Sequence, residues 1–416
     1  MRLRSPEFYR RPSRRRGTNL PRLGRTVAVL VATVGLFATA ACSDAPVDNA
    51  ASSSLSASAS TPAPNSAASS SSVAPVPLAC GAKQLKELTL RQKLAQLLVV
   101  GVQNTADAQQ VVKREHIGGV FVGSWTDLAF LKDGSAKKLS QSQKIPLMVT
   151  VDQEGGRVSR LKSLGIDLPS ARQMAKDNTP EQVRALAKEA GKKMADLGIT
   201  VDFAPSADVS DQPDDTVIGD RSFSNDPDTV TAYAGAFAQG LADAGIMPVY
   251  KHFPGHGHGS GDSHTGAVTT PPLAQMQNTD LVPFRNLLKD PGTAGVMVGH
   301  LIVPGLTGPS TPASISPAAI GMLRSGKKYN APAFNGVVFT DDLSGMQAIT
   351  DKYTIEQAVL KAIIAGSDIG LWLTTDRVTS VLDSLEKAVS TGRLSEKRVD
   401  RSVVRILKAK GVVDCA

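Results

Sequence analysis

From residue 81 onward the chain alternates two hydrophobic rhythms. Short, almost wholly apolar runs occupy 97–102, 119–122, 147–151, 200–203, 247–250, 295–298, 337–340 and 369–373. Between them lie amphipathic stretches with apolar residues every three or four positions, as at 180–198, 226–245 and 354–366. Continuous apolar runs suit strands buried on both faces, and such strands belong to parallel sheets covered by helices. The helical stretches end in glycine, the residue best able to close a helix. Eight such units in residues 81–416 predict a (β/α)8 barrel, with an open doubly wound sheet as the alternative. A barrel makes a sharper demand: its reactive residues should follow the strands, at their C-terminal ends. Asp152 follows the third run, 204–220 the fourth, Lys251 and His252 the fifth, His300 the sixth and Asp341 the seventh.

The first eighty residues have neither rhythm. An arginine-rich start leads into 26–41, sixteen residues without a charge. That is short for a membrane-spanning helix, which needs about 20 residues. A basic start, an apolar middle and small residues at the end describe an export signal. Its end, Thr39-Ala40-Ala41-Cys42, resembles a bacterial lipobox, which implies cleavage before Cys42 and a lipid on that cysteine. An ordinary signal peptide with an incidental cysteine is the alternative, and Arg10-Arg11 leaves the export route open between the general and twin-arginine systems. The Ser/Ala/Pro-rich 42–80 cannot bury enough apolar surface to offset its ordering entropy and reads as a disordered tether. The expected organisation is a signal peptide at 1–41, a tether at 42–80 and a barrel at 81–416. The protein is expected on the outer face of the cytoplasmic membrane. Cys80 and Cys415 bracket the barrel; in an exported protein they are candidates for a disulfide, with two free thiols as the alternative.

The net charge of +8 would ordinarily raise nucleic acid as a partner. Nine arginines and Glu7 within residues 1–25 account for all of it, so the remainder is balanced. With only 4% aromatic residues there is little for bases to stack on, and no nucleic-acid partner is expected.

Candidate chemistry concentrates in three places. The densest is 250–265, YKHFPGHGHGSGDSHT, with His252, His256, His258 and His264. A metal site fits poorly, because the interleaved glycines prevent the helical display of paired histidines. A phosphate cradle fits poorly too, since no GK[ST] follows the glycines. An acid–base pair fits best. Asp262 and His264 stand two apart, so an extended backbone puts both on one side, and the carboxylate would fix the imidazole tautomer. The second place is VVFTDDL, where an apolar strand delivers Asp341 and Asp342; one can serve as a nucleophile, and Asp342 can alternatively cap a following helix. The third is VDQEGGRVSR, where Asp152 and Arg160 suit sugar hydroxyls, while Glu154 and Arg157 read as a structural ion pair. Arg221 adds a cation after the fourth strand, or a surface pair with Asp220 or Asp226.

VDQEGGRVSRL, IGDRSFSNDP, KHFPGHGHGSGDSH and FTDDLSGM, in this order, resemble the family-3 glycoside hydrolases of the β-N-acetylglucosaminidase (NagZ-like) branch. The resemblance covers essentially all of 85–411. It implies Asp341 as catalytic nucleophile, His264 with Asp262 as the acid/base dyad, and Asp152, Arg160, Arg221, Lys251 and His252 around the non-reducing sugar. It further implies retention by double displacement and, combined with the export signal, GlcNAc–MurNAc-type peptidoglycan fragments as substrate. No metal or cofactor is expected, and the protein is expected to act as a monomer. A β-glucosidase, a β-xylosidase or a GlcNAc phosphorylase of the same family, and a non-catalytic wall-binding lipoprotein, are the rival readings. Two departures stand out: the middle of the dyad loop, His258-Gly259-Ser260-Gly261, and Gly345 ahead of Met346.

Overall fold

The computed structural model of the protein describes residues 77–415. The expected signal segment, Cys42 and nearly all of the tether lie outside the described residues.

All eight apolar runs form strands of one parallel sheet. They are β1 (Leu98–Gly101), β2 (Gly119–Val122), β3 (Met148–Val151), β4 (Val201–Asp202), β5 (Met247–Phe253), β6 (Gly295–Val298), β7 (Val338–Thr340) and β8 (Gly370–Trp372). Each pairs in parallel with its sequence neighbour from β1 through β7, and β8 returns to β1 with Leu98 opposite Gly370. Between β7 and β8, Ile369 N–H donates to Val338 O and Thr340 N–H to Ile369 O, both at 3.0 Å. The sheet is therefore closed on itself, which excludes the open alternative. Phe203 stacks on Phe121 and meets Phe339 edge-on at 5.3 Å between centroids, joining β2, the end of β4 and β7 through the barrel's interior.

Several of the longer helices begin where the sequence supplies caps. Thr179 and Gln182 form a capping box at α1 (Pro180–Asp196), with Pro180 in the first turn. Asp226 caps α2 (Pro227–Asp243), and Thr354 with Gln357 caps α3 (Ile355–Ala365). Val378–Ser390 forms α4, and Glu396–Ala409 forms α5. Among the described residues no helix is long and apolar enough to cross a membrane. A disulfide joins Cys80 to Cys415, with Cα atoms 5.7 Å apart, and fastens the last residues of the chain to the segment ahead of the barrel.

The β5 strand differs from expectation in length. The apolar run stops at Tyr250, yet the strand continues to Phe253 and carries Lys251 and His252 within it. Both are almost completely buried. A charged side chain is tolerated there only because partners neutralise it, as described next.

Candidate active site

At the C-terminal ends of the strands lies a cavity of about 380 Å3. Its lining includes every expected catalytic and sugar-binding residue: Asp152, Arg160, Arg221, Lys251, His252, Asp262, His264 and Asp341. The topology thus gathers groups that lie up to 189 positions apart in the chain, from Asp152 to Asp341.

The floor is a buried ionic network. Lys251 Nζ lies 2.7 Å from Asp152 Oδ1 and 2.6 Å from Glu154 Oε1. Arg221 grips Glu154 with two bonds, Nη2 to Oε1 at 2.7 Å and Nε to Oε2 at 2.8 Å. Burial opposes the charge on Glu154, but Arg221 and Lys251 outweigh it and hold the carboxyl far below the usual range. Glu154 is therefore not the partner of Arg157. The chain turns back at Gly155-Gly156, pairing Gln153–Gly155 with Val158–Ser159, and Glu154 faces the cavity floor. Arg157 instead bonds Asp220 at 2.7 Å and the carbonyls of Thr216 and Ile218, fastening the loop after β4. Arg221 is likewise no surface pair with Asp220 or Asp226; its bidentate partner is buried Glu154.

With Lys251 satisfying one oxygen of Asp152, the other is available to a sugar hydroxyl. Arg160 Nε is buried without a hydrogen-bond partner among the described residues. An unpaired buried N–H is costly, and a bound hydroxyl would relieve it. Behind them, buried Asp202 accepts the Gln153 N–H at 2.9 Å. Its carboxyl is pushed well above the usual range, first by burial and then by the charges of Asp152 and Glu154.

The sequence reading missed Asp208, which is wholly buried and organises the histidines. Its Oδ2 accepts His252 Nδ1 at 2.7 Å, and its Oδ1 accepts the backbone N–H of His256, also at 2.7 Å. No hydrophobic pattern marks Asp208; only its place after β4 hinted at it. His256 lines the cavity, and burial, followed by the nearby His252, lowers its pKa.

The two carboxyls after β7 have been pushed apart. Burial opposes ionisation of Asp341, but His252, His300, the Asp342 N–H and Lys251 prevail and lower its pKa. Asp342 is pushed up to about 6, by burial and by Asp341 beside it. The two neighbouring carboxyls are thus shifted in opposite directions, Asp341 toward its ionised form and Asp342 away from it. Asp342 caps no helix. It accepts Ser344 N–H and Oγ–H at Oδ1 and Gly345 N–H at Oδ2, closing a tight turn. A Cβ at 345 would stand 2.4 Å from Asp342 Oδ2, so the departure at Gly345 is what this turn needs. His300 takes no position at the cavity wall; its ring bonds Ser314 Oγ at 2.7 Å and Asp342 O at 2.6 Å, bracing the same turn.

The glycine-rich loop has two halves. The first is fixed: His258 Nδ1 lies 3.0 Å from both oxygens of buried Asp280, and Gln212 Nε2 donates to Gly257 O at 3.1 Å. A Cβ on Gly257 would lie 1.7 Å from Val209 O, so only glycine fits. The His258 pKa is raised, first by its hydrogen bond to Asp280. The second half is open, with empty space around Gly261 and Gly266. It carries the dyad: His264 Nδ1 lies 2.7 Å from Asp262 Oδ1, which also accepts the His264 backbone N–H at 2.9 Å. Nδ1 is thereby committed to the carboxylate, and Nε2 remains for a substrate. Trp125, which the sequence reading passed over, stands at the cavity rim, 39% exposed. Among the described residues no group of three potential ligands is arranged to hold a metal.

Residues 89–409 match the glycosyl hydrolase family 3 N terminal domain. The chain belongs to glycosyl hydrolase family 3. It is 54% identical to the β-hexosaminidase LpqI of Mycobacterium tuberculosis over 392 residues, covering 93% of this chain and 97% of that protein. A solved family-3 glycosyl hydrolase from Mycobacterium smegmatis superposes with a TM-score of 0.77 at 55% identity, covering 79% of this chain and 99% of that one. A family-3 β-N-acetylglucosaminidase from a Paenibacillus species gives a TM-score of 0.70 at 32% identity, over 78% and 62% of the two chains. The protein is a glycoside hydrolase, and its barrel is the family-3 catalytic architecture.

Proposed function

We propose that this family-3 β-hexosaminidase is a retaining exo-β-N-acetylglucosaminidase that removes non-reducing GlcNAc from GlcNAc–MurNAc-type peptidoglycan fragments. In the first step an Asp341 oxygen attacks C1 while His264 Nε2–H protonates the departing glycosidic oxygen. In the second, neutral His264 takes a proton from water, whose oxygen displaces the Asp341 ester and restores the β configuration. The observation that carries this reading is the division of the site: an ionised, buried Asp341 on a rigid strand end, and an Asp262–His264 dyad on an open loop lining the same cavity. The Asp152–Lys251–Glu154–Arg221 network would hold the sugar's hydroxyls, and movement of the loop around Gly261 and Gly266 would admit and release it. Together with the export signal read in 1–41, the wall substrate gives a protein tethered to the outer face of the membrane through a lipid on Cys42, working as a monomer.

Phosphorolysis is the second reading, and it rests on the same dyad. A neutral imidazole base repels no anion, whereas a carboxylate would, so phosphate can approach the glycosyl ester. Turnover of a GlcNAc–MurNAc disaccharide with and without phosphate tests both. Release of free GlcNAc at equal rates favours hydrolysis, phosphate-dependent GlcNAc-1-phosphate favours phosphorolysis, and no reaction under either condition removes the substrate assignment. Faster cleavage of nitrophenyl glucoside than of nitrophenyl N-acetylglucosaminide would instead place the chain with the β-glucosidases. Unchanged turnover in Asp341→Ala would favour a non-catalytic wall-binding role for the site.

A further inference from the structure

At the opposite end of the barrel from the catalytic cavity, a second pocket of about 340 Å3 opens beside the segments that lead into β7 and β8. Four arginines line it: Arg324, and Arg398, Arg401 and Arg405 from α5. Their positions on α5 are three and four residues apart, so they share one face of that helix. Among the described residues the carboxylate that Arg324, Arg398 and Arg405 reach is Asp368. Asp368 is completely buried, and its acceptor sites are full: Oδ2 takes Arg324 and the Val338 N–H, while Oδ1 takes Ser402 Oγ–H and Arg405 Nη1 at 3.2 Å. Arg398 stands 3.7 Å from Oδ1, with its donors on Ser367 O and Ser402 Oγ. Nothing remains on Asp368 for Arg401. Arg405 Nε is buried and has no hydrogen-bond partner among the described residues, while its Nη2 lies 3.4 Å from Asn335 Oδ1.

Arginine does not shed its proton in proteins, so three guanidinium groups within 4 Å of one carboxylate, with Arg401 lining the same pocket, leave a persistent excess of positive charge. The strain registers on the cluster itself. Burial, followed by the neighbouring charges of Arg405 and Arg398, pushes Arg324 down to about 10 even with Asp368 against it. A structural rivet would need only enough arginine to balance Asp368; the surplus calls for an anion.

We propose that this pocket is a binding site for a phosphate group. A phosphate carries up to two negative charges and offers oxygens in the fork geometry that guanidinium groups match, with Arg401 and Arg405 Nε as the uncommitted donors. The group can be free phosphate or the headgroup of an anionic lipid. The second source is worth testing because Leu78–Gly81, through which the chain enters the barrel, packs on α5, with Gly81 against Val404.

The test is titration of the protein with inorganic phosphate, read by calorimetry and by melting temperature, against chloride at equal ionic strength. The expected result is saturable binding and a raised melting temperature, with at least a tenfold loss of affinity in Arg401→Gln and abolition in Arg401→Gln/Arg405→Gln. Turnover by Arg401→Gln should remain that of wild type, since this exposed residue is far from the catalytic cavity. Saturating GlcNAc should not displace the phosphate; displacement would put the anion at the catalytic mouth and overturn the proposal. Co-sedimentation with phosphatidylglycerol vesicles but not phosphatidylcholine vesicles, lost in the same variants, identifies a lipid headgroup as the source. Phosphate binding without sedimentation identifies the free ion. Should neither phosphate nor vesicle binding respond to Arg401→Gln, the pocket is no phosphate site.

Discussion

The carbonyl of Ser263 accepts the backbone N–H of Ala348 at 3.1 Å. Ser263 lies between the two members of the dyad, and Ala348 lies seven residues beyond Asp341, so this bond ties the acid/base loop to the segment that follows the nucleophile. Ser263 is itself buried, with its hydroxyl 3.4 Å from Met346 Sδ. Asp262 and His264 are thus carried outward on either side of a pinned residue. The loop can be open around Gly261 and Gly266 and still present its dyad in one place.

Removing the donor tests that hook. Ala348 is in the first turn of a short helix, Gln347–Thr350, where proline is tolerated. Ala348→Pro is expected to lower kcat on the disaccharide about tenfold, the cost of misplacing a proton donor, while KM changes little. Steady-state kinetics separates the two parameters, and a matching rise in KM would mean that the sugar site had moved instead.

Proton donation matters in proportion to how poor the leaving group is. His264→Ala should therefore lose about 10²–10⁴-fold in turnover of a GlcNAc–MurNAc disaccharide. The loss in the first step should be much smaller with a nitrophenyl glycoside, whose phenolate departs without help. Pre-steady-state bursts with the aryl substrate would reveal an ester that forms readily and breaks slowly. Equal losses on both substrates would argue against a proton-transfer role.

Glu154 links the network's stability to pH. Its folded-state pKa lies below the ordinary 4.5, held there by Arg221 and Lys251 against the opposing effect of burial. The stability it contributes is present above pH 4.5 and is lost as the pH falls toward the lower folded value. Glu154→Gln leaves two buried cations short of a partner and is expected to cost about 3 kcal/mol at pH 7. Melting curves of wild type and variant should converge as the pH is lowered below 4.5. Parallel curves would show that the charge on Glu154 is not what the network uses.

Trp125 is one of two large hydrophobic side chains exposed among the described residues, and it stands at the rim of a sugar cavity. An aromatic face there suits stacking on the second sugar. A contact of about 1 kcal/mol predicts a roughly fivefold rise in KM for the disaccharide in Trp125→Ala, with less effect on a monosaccharide glycoside. An unchanged KM for both substrates would place the second sugar elsewhere.

How much of this the sequence disclosed depended on whether a residue's role followed from its local pattern. The eight strands were legible because each is buried on both faces and has to be apolar. The end of β5 was not, since Lys251 and His252 look like loop residues until Lys251 is seen paired with Asp152 and Glu154, and His252 hydrogen-bonded to Asp208. Glu154 was misread for a related reason: nothing local says that the chain reverses at Gly155-Gly156 and sends Glu154 and Arg157 to different partners. Asp342 resembled a helix cap because capping and turn-closing use the same carboxylate chemistry. Asp262 and His264 were the exception, a pair whose interaction is itself local and therefore readable.

The proposed mechanism turns on Asp341 forming the glycosyl bond. A fluorinated N-acetylglucosaminyl donor that slows breakdown of the ester, followed by peptide mass spectrometry, addresses it directly. One added sugar is expected on the peptide containing Asp341, and none in Asp341→Asn. A labelled residue other than Asp341, or full turnover by Asp341→Asn, would contradict it.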